Sequence, residues 1–191
     1  MPCVILIAGW SGAGKDTVGK IIKDKWGSQR YAFADVLKEM VVEEYKFPFK
    51  WSQTQQGKQW LLPHGETVRQ VLIRRGQEIR SQHNDPGFFA RIVANKIKDA
   101  LETTEIKTFV ITDWRLPVEL LTLEQELTAL GVTFRKIRVL REGQTESPIP
   151  DKTTEYQLVD YIFDEVIVND GKNIQALEVQ VVQQLRYHLY L

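Results

Sequence analysis

The chain has 191 residues, of which 43% are hydrophobic and 26% charged, enough apolar material for one packed domain without disulfides or a structural metal. Lys plus Arg and Asp plus Glu both number 25, so the formal charge is zero and the basic excess of a general nucleic-acid binder is missing. One cysteine, Cys3, and three histidines, His64, His83 and His188, argue against a disulfide framework or a soft-ligand zinc cluster and fit a reducing compartment.

Val4 to Ala8 reads as a buried strand. It is the longest apolar run and falls far short of a membrane span. Met1-Pro2-Cys3 does not open a secretory leader, so the expected location is the cytoplasm. Glycine punctuation follows, and a helix is predicted over Lys15 to Trp26, stopped by Gly27. Tyr31 to Phe33 forms a short strand, and Asp35 to Tyr45 a helix with Val36, Met40 and Val41 on one face. Phe47 to Pro63 is aromatic and polar without a clear period.

Two further helices cover Thr67 to Gln82 and Pro86 to Leu101, the second with Asp85 as N-cap and Pro86 in its first turn. Phe109 to Thr112 is a strand ending at Asp113. Pro117 to Leu130 is a helix stopped by Gly131, and Thr133 to Leu140 a strand. Glu142 to Thr153 carries Gly143, Pro148 and Pro150 and is a loop. Glu165 to Val168 is the last strand and Asn173 to Tyr190 the last helix, whose Val181, Val182 and Leu185 suit either core or a homodimer face. Strands alternating with helices predict an α/β fold: a parallel sheet covered by helices on both faces, with ligands at the carboxyl ends of its strands. No repeat, linker or composition shift divides the chain, so one domain is expected over residues 1–191.

The strongest motif is Gly9-Trp10-Ser11-Gly12-Ala13-Gly14-Lys15-Asp16-Thr17, a G-x-x-x-x-G-K phosphate loop set between an apolar strand and a helix. Gly9, Gly12, Ala13 and Gly14 let backbone N–H groups turn inward around phosphate oxygens, and the following helix adds its positive dipole end. Lys15 then reaches the β- and γ-phosphates of a nucleoside triphosphate. Asp16 stands where a magnesium-ligating hydroxyl is usual. A carboxylate is also a hard oxygen ligand, so Asp16 is a metal candidate together with Thr17, whose hydroxyl can alternatively donate to the α-phosphate. Without a cation, Asp16 would repel the β-phosphate. The competing reading is a glycine-rich turn that holds no ligand. A guanine-reading N-K-x-D is missing, as are the protein-kinase signatures H-R-D and D-F-G. The loop thus implies a triphosphate and leaves the acceptor open.

Collinear segments from Val4 to Gly171 narrow the acceptor. They are Phe33-Ala34-Asp35-Val36-Leu37-Lys38-Glu39, Thr54 to Lys58, a Thr67 to Arg80 helix that reads R-x-x-L-x-x-x-G-x-E-x-R from Arg69, Asp85-Pro86 with Phe88-Phe89, a D-x-R-x-P-x-E segment from Asp113 to Glu119, Val139 to Gly143, and Phe163-Asp164 through Asn169-Asp170-Gly171. In order and spacing the chain resembles phage and viral deoxynucleoside monophosphate kinases. The resemblance implies a P-loop kinase core in three layers with a short lid at about 141–156 and an acceptor-binding helical region at about 35–105. It also implies ATP- and magnesium-dependent transfer of the γ-phosphoryl group to a deoxynucleoside monophosphate. Two positions depart from the pattern: Glu142 stands where proline is common, and Lys152 takes the usual histidine position in Asp151-Lys152-Thr153-Thr154-Glu155.

The resemblance assigns the acceptor phosphate to Lys38 and Arg69, the latter suited to a bidentate grip. Arg141, at the lid root, is the candidate for the transferring group, against a crowd of neighbours in Arg135, Lys136 and Arg138. Asp113 is either the acceptor of a magnesium-bound water or a helix cap. Asp35 either caps its own helix or orients substrate. Arg115 either pairs with Asp35 or touches the acceptor nucleotide, and Arg80 either pairs with Glu78 or binds ligand. Phe47, Phe49, Trp51 and Trp60 are core rings or a base-stacking platform. Other acceptor chemistries stay open: phosphomevalonate or dephospho-coenzyme A kinases on the same core, a polynucleotide end kinase, which zero charge disfavours, and a regulatory nucleotide-binding protein without turnover.

Overall fold

In the computed structural model, which describes residues 1–145 and 156–189, the first apolar run is strand β1 (Cys3–Ala8), buried along its whole length. Its period-two pleat sends Val4, Leu6 and Ala8 into one core and Cys3, Ile5 and Ile7 into another. A strand buried on both faces must be central. β1 pairs in parallel with β3 (Thr108–Ile111) on one side and β4 (Thr133–Arg141) on the other. The edges are β2 (Gln29–Tyr31) and β5 (Glu165–Asn169), giving a five-stranded parallel sheet in the order β2-β3-β1-β4-β5.

Helices α1 (Lys15–Trp26) and α7 (Ile174–Leu189) cover one face through Val18, Ile22, Leu177, Val181 and Leu185. Val181 and Leu185 are therefore core residues, and the dimer face considered for them is occupied by the sheet. The opposite face is covered by α2 (Phe33–Tyr45), α5 (Phe88–Thr103) and α6 (Pro117–Leu127), with one residue, Ile79, from α4 (Val68–Gln82). This is the predicted three-layer α/β architecture. No helix among the described residues is long and apolar enough to cross a membrane.

Several boundaries differ from the sequence reading for local reasons. β2 ends at Tyr31, because Ala32 is an extended N-cap and Phe33 already begins α2, two residues before the predicted start. Asp35 consequently lies inside the first turn and does not cap the helix. Asp85 is not the N-cap of α5; Gly87 is, and Asp85 Oδ1 accepts the Gly87 N–H at 2.9 Å while Oδ2 holds Arg91. The segment without a period contains α3 (Phe49–Gln53) and a tight turn at Gly57–Gln59. It encloses a small separate core of Val41, Phe47, Leu62, Val68 and Val71. Most of the expected lid, including Asp151, Lys152, Thr153, Thr154 and Glu155, lies outside the described residues.

Candidate active site

The loop between β1 and α1 is held open by its glycines. A Cβ on Gly9 would lie 2.3 Å from the Val139 carbonyl oxygen, and one on Gly14 2.3 Å from the Asn169 amide nitrogen; both glycines have positive φ, 144° and 102°. Asn169, buried at the end of β5, donates to the Ala13 carbonyl at 2.9 Å and accepts from Gly171 N–H at 2.9 Å. The last strand thereby clamps the middle of the loop. Lys15 arches back over it, its Nζ donating to the carbonyls of Gly9 at 2.7 Å and Trp10 at 2.9 Å. Gln144 and Tyr156, near the two ends of the expected lid, both meet this loop: Gln144 donates to Ser11 O at 3.0 Å, and Tyr156 packs on Trp10 at 5.7 Å.

Asp16 and Thr17 open α1 with exposed side chains. Asp16 faces Arg30 of β2 at 3.4 Å, and Arg30 also grips Asp35 at 2.8 Å. Asp35 in turn holds Lys38 at 2.6 Å. A charged chain thus runs from the phosphate loop to α2, and Arg30, which sequence reasoning did not single out, is its link. Burial works against the Asp35 carboxylate, but Lys38 and Arg30 outweigh it and keep it below the usual range. Arg115 is not the partner of Asp35; two cations nearer along the chain take that place.

Asp113 shows the capping role, and on a distant helix. Its carboxylate oxygens accept from Phe33 N–H at 2.9 Å and Ala34 N–H at 2.8 Å, the first two donors of α2. Ala32 at the N-cap has no side-chain oxygen, so the segment that follows β3 supplies both oxygens through Asp113. Burial raises the Asp113 carboxyl and these two N–H groups oppose the rise.

Arg80 and Glu78 do not pair. Residues two apart on a helix point to different sides. Glu78 is taken by Arg74 and Arg75, at 2.9 and 2.6 Å. Arg80 lies over the Phe89 ring at 4.9 Å and approaches Glu119 at 4.0 Å. Glu119 is buried; it accepts from the N–H groups of Arg115 and Leu116, both at 3.0 Å, and burial pushes its carboxyl up to about 7. Arg80 is in this way a support for the loop that carries Arg115.

Three of the predicted cations share one electrostatic neighbourhood. Lys38 of α2, Arg69 of α4 and Arg115 after β3 all lie within electrostatic reach of Lys58, in the turn between α3 and α4. Sequence reasoning quoted Lys58 within a motif and gave it no role. Arg69 donates to Gln55 of the same turn at 2.6 Å. Arg141 goes elsewhere: its guanidinium packs on the Gly171 backbone, beyond β5, and its charge reaches Asp170. Ala8, Gly9, Trp114, Arg115, Arg141 and Gln144 line one cleft at the carboxyl ends of the central strands. Of the aromatic candidates, Phe47 is buried, and Trp51 stacks on Phe47 at 6.4 Å and on Trp60 at 5.2 Å, so these rings mainly serve each other.

No family model and no curated protein sequence matches the chain. Solved structures resemble it in fold. An unliganded sugar kinase from Janibacter sp. HTCC2649 aligns over 100% of this chain and 97% of its own, with 15% identity and a TM-score of 0.50. A Thermus thermophilus protein aligns over 98% of each chain, with 13% identity and a TM-score of 0.53. The α/β fold of this chain, a parallel five-stranded sheet between helix layers, resembles the fold of these two structures.

Proposed function

We propose that this protein transfers the γ-phosphoryl group of ATP to a deoxynucleoside monophosphate, giving the diphosphate, in the cytoplasm. The observation that carries this reading is the gathering of Lys38, Arg69 and Arg115, from three separate elements, on the acceptor side of a phosphate loop. Such a concentration of positive charge favours an acceptor that itself bears a phosphate.

In this reading the backbone of Gly9, Gly12, Ala13 and Gly14 receives the triphosphate, and Lys15 exchanges the carbonyls of Gly9 and Trp10 for β- and γ-oxygens. Thr17 and the α1 N-terminus add donors. Asp16 and Thr17 are exposed oxygen donors suited to magnesium, and Asp16 would exchange its long contact with Arg30 for the ion. Among the described residues no three His, Cys, Asp or Glu side chains converge as a metal cage, so these residues would share the ion with phosphate oxygens. Magnesium supplies neutralisation of the charge between donor and acceptor phosphates.

Lys38 and Arg69 hold the acceptor phosphate, and Arg115 contacts the acceptor nucleotide. An acceptor phosphate oxygen attacks the γ-phosphorus as the bond to the β-γ bridging oxygen breaks. The nucleophile is an anion at neutral pH, so no general base is needed. Asp35 orients the acceptor side by fixing Lys38, and Asp113 positions both through the α2 N-terminus. Arg80 supports Arg115 through Glu119. Arg141 belongs to the donor-side rim and reaches the transferring group only if it leaves Gly171.

The test is ADP release from ATP and magnesium with each deoxynucleoside and ribonucleoside monophosphate, using Lys15→Ala as blank. Strong stimulation by one or more deoxynucleotides is expected. Stimulation by phosphomevalonate instead would keep the phosphate-bearing acceptor and replace the nucleotide. ATP binding without any stimulation would favour a regulatory protein.

A further inference from the structure

Lys58 is the residue that neither the phosphate loop nor the charged chain through Arg30 accounts for. It is partly buried, yet its ammonium has no hydrogen bond or ion pair with any described residue. A desolvated ammonium normally takes a carboxylate or carbonyl partner, since burying a charge without one is costly. Lys38, Arg69 and Arg115, from α2, α4 and the loop after β3, lie within electrostatic reach of it; Asp16 opposes them, and Asp35 is taken up by Lys38 at 2.6 Å.

The position is braced. Gly57 N–H donates to Thr54 Oγ1 at 2.9 Å and Lys58 N–H to Thr54 O at 3.0 Å, closing the turn. A Cβ on Gly57 would lie 2.5 Å from Trp51 Cα, so the turn sits directly against α3. The Arg69 to Gln55 bond at 2.6 Å ties the same turn to α4. The turn that presents Lys58 is therefore anchored to the element that presents Arg69.

We infer that Lys58 is a ligand of the acceptor's phosphate, completing with Lys38, Arg69 and Arg115 a site built for a doubly charged phosphate group. This inference rests on the phosphoryl-transfer reading above and adds a residue to it. A phosphate dianion supplies the counter-charge that Lys58 lacks among the described residues, and its three oxygens have enough lone pairs for several donors. Burial and the neighbouring cations hold Lys58 below its ordinary pKa, and a bound dianion would reverse that.

Two measurements test it. The first is ¹³C NMR of the reductively dimethylated protein with its loop saturated by a non-hydrolysable ATP analogue. The Lys58 signal is the one missing from the Lys58→Arg variant, and inorganic phosphate is the probe. A saturable shift of that signal is expected; a signal unmoved by phosphate overturns the inference, whatever the acceptor proves to be. The second is steady-state kinetics with whichever phosphate-bearing acceptor the wild type uses. Lys58→Met should raise acceptor KM roughly tenfold or more with ATP KM little changed, and Lys58→Arg should recover part of it. Equal KM values in wild type and Lys58→Met overturn the inference while leaving the kinase reading intact. Turnover only with another phosphate-bearing acceptor, weakened by Lys58→Met, supports the inference and removes the deoxynucleotide assignment. Turnover only with acceptors lacking phosphate overturns both.

Discussion

The Asn169 side chain donates to the Ala13 carbonyl at 2.9 Å, joining the end of the last strand to the middle of the phosphate loop 156 positions earlier. The same amide accepts from Gly171, so one buried side chain shapes both the loop and the turn on which Arg141 rests. Its amide nitrogen sits where a side chain on Gly14 would be. Loop conformation is thereby linked to the far edge of the sheet.

Asn169→Ala leaves the buried Ala13 carbonyl and the Gly171 N–H without their partner. It should cost about 1–3 kcal/mol in urea unfolding and raise the ATP KM. Asn169→Asp should be worse above its carboxyl pKa, because a carboxylate would face the Ala13 carbonyl. Unchanged stability in both variants would show that the clamp contributes nothing.

Lys15→Ala removes the cation that spans the loop. Loss of about a hundredfold or more in kcat/KM is expected in the ADP-release assay, the scale of losing one donor aimed at developing charge. Normal turnover would refute the phosphate-loop assignment. Folding should be little affected, since Lys15 is only partly buried and the Gly9 and Trp10 carbonyls it meets belong to a partly exposed loop.

Arg69→Ala should raise acceptor KM roughly tenfold or more while ATP KM stays near the wild-type value. Arg69→Lys should recover only part, since a lysine cannot offer the planar fork. Equal effects on both substrates would argue that Arg69 only anchors Gln55 and its turn.

Glu119 gives a pH prediction with a definite sign. Its carboxyl is raised by burial to about 7, above the ordinary 4.5, so the unfolded chain loses this proton first. Stability from this group is greatest below about pH 4.5 and is lost as pH rises toward 7. Glu119→Gln keeps an oxygen for the N–H groups of Arg115 and Leu116 without the charge. Its stability relative to wild type should climb between pH 5 and pH 7 by an amount on the order of 3 kcal/mol and then level off. Urea titrations of both proteins across that range decide it; a constant difference would mean that Glu119 is already ionised at low pH.

Periodic segments were legible early. α1 occupies its predicted range, and β1, β3, β4 and β5 lie within a residue or two of theirs, because apolar runs and glycine stops act locally. The loop motif was equally legible, since strand, glycines, Lys15 and helix sit side by side in the chain. The pairing of charges was not. Arg80 went to Phe89 and Glu119, Asp35 to Arg30 and Lys38, and Arg141 to Gly171, choices set by which elements pack together.

Local order therefore follows from short-range sequence: pleat alternation in β1, the Thr67 capping box with Gln70, the stop at Gly27. Those features depend on residues a few positions apart, where spacing fixes geometry. The Asp113 cap on α2, the Asn169 clamp on the loop and the meeting of Lys38, Lys58, Arg69 and Arg115 follow from folding alone. Each joins residues far apart in the chain, and only closure of the sheet with its helix layers determines which buried donor meets which acceptor.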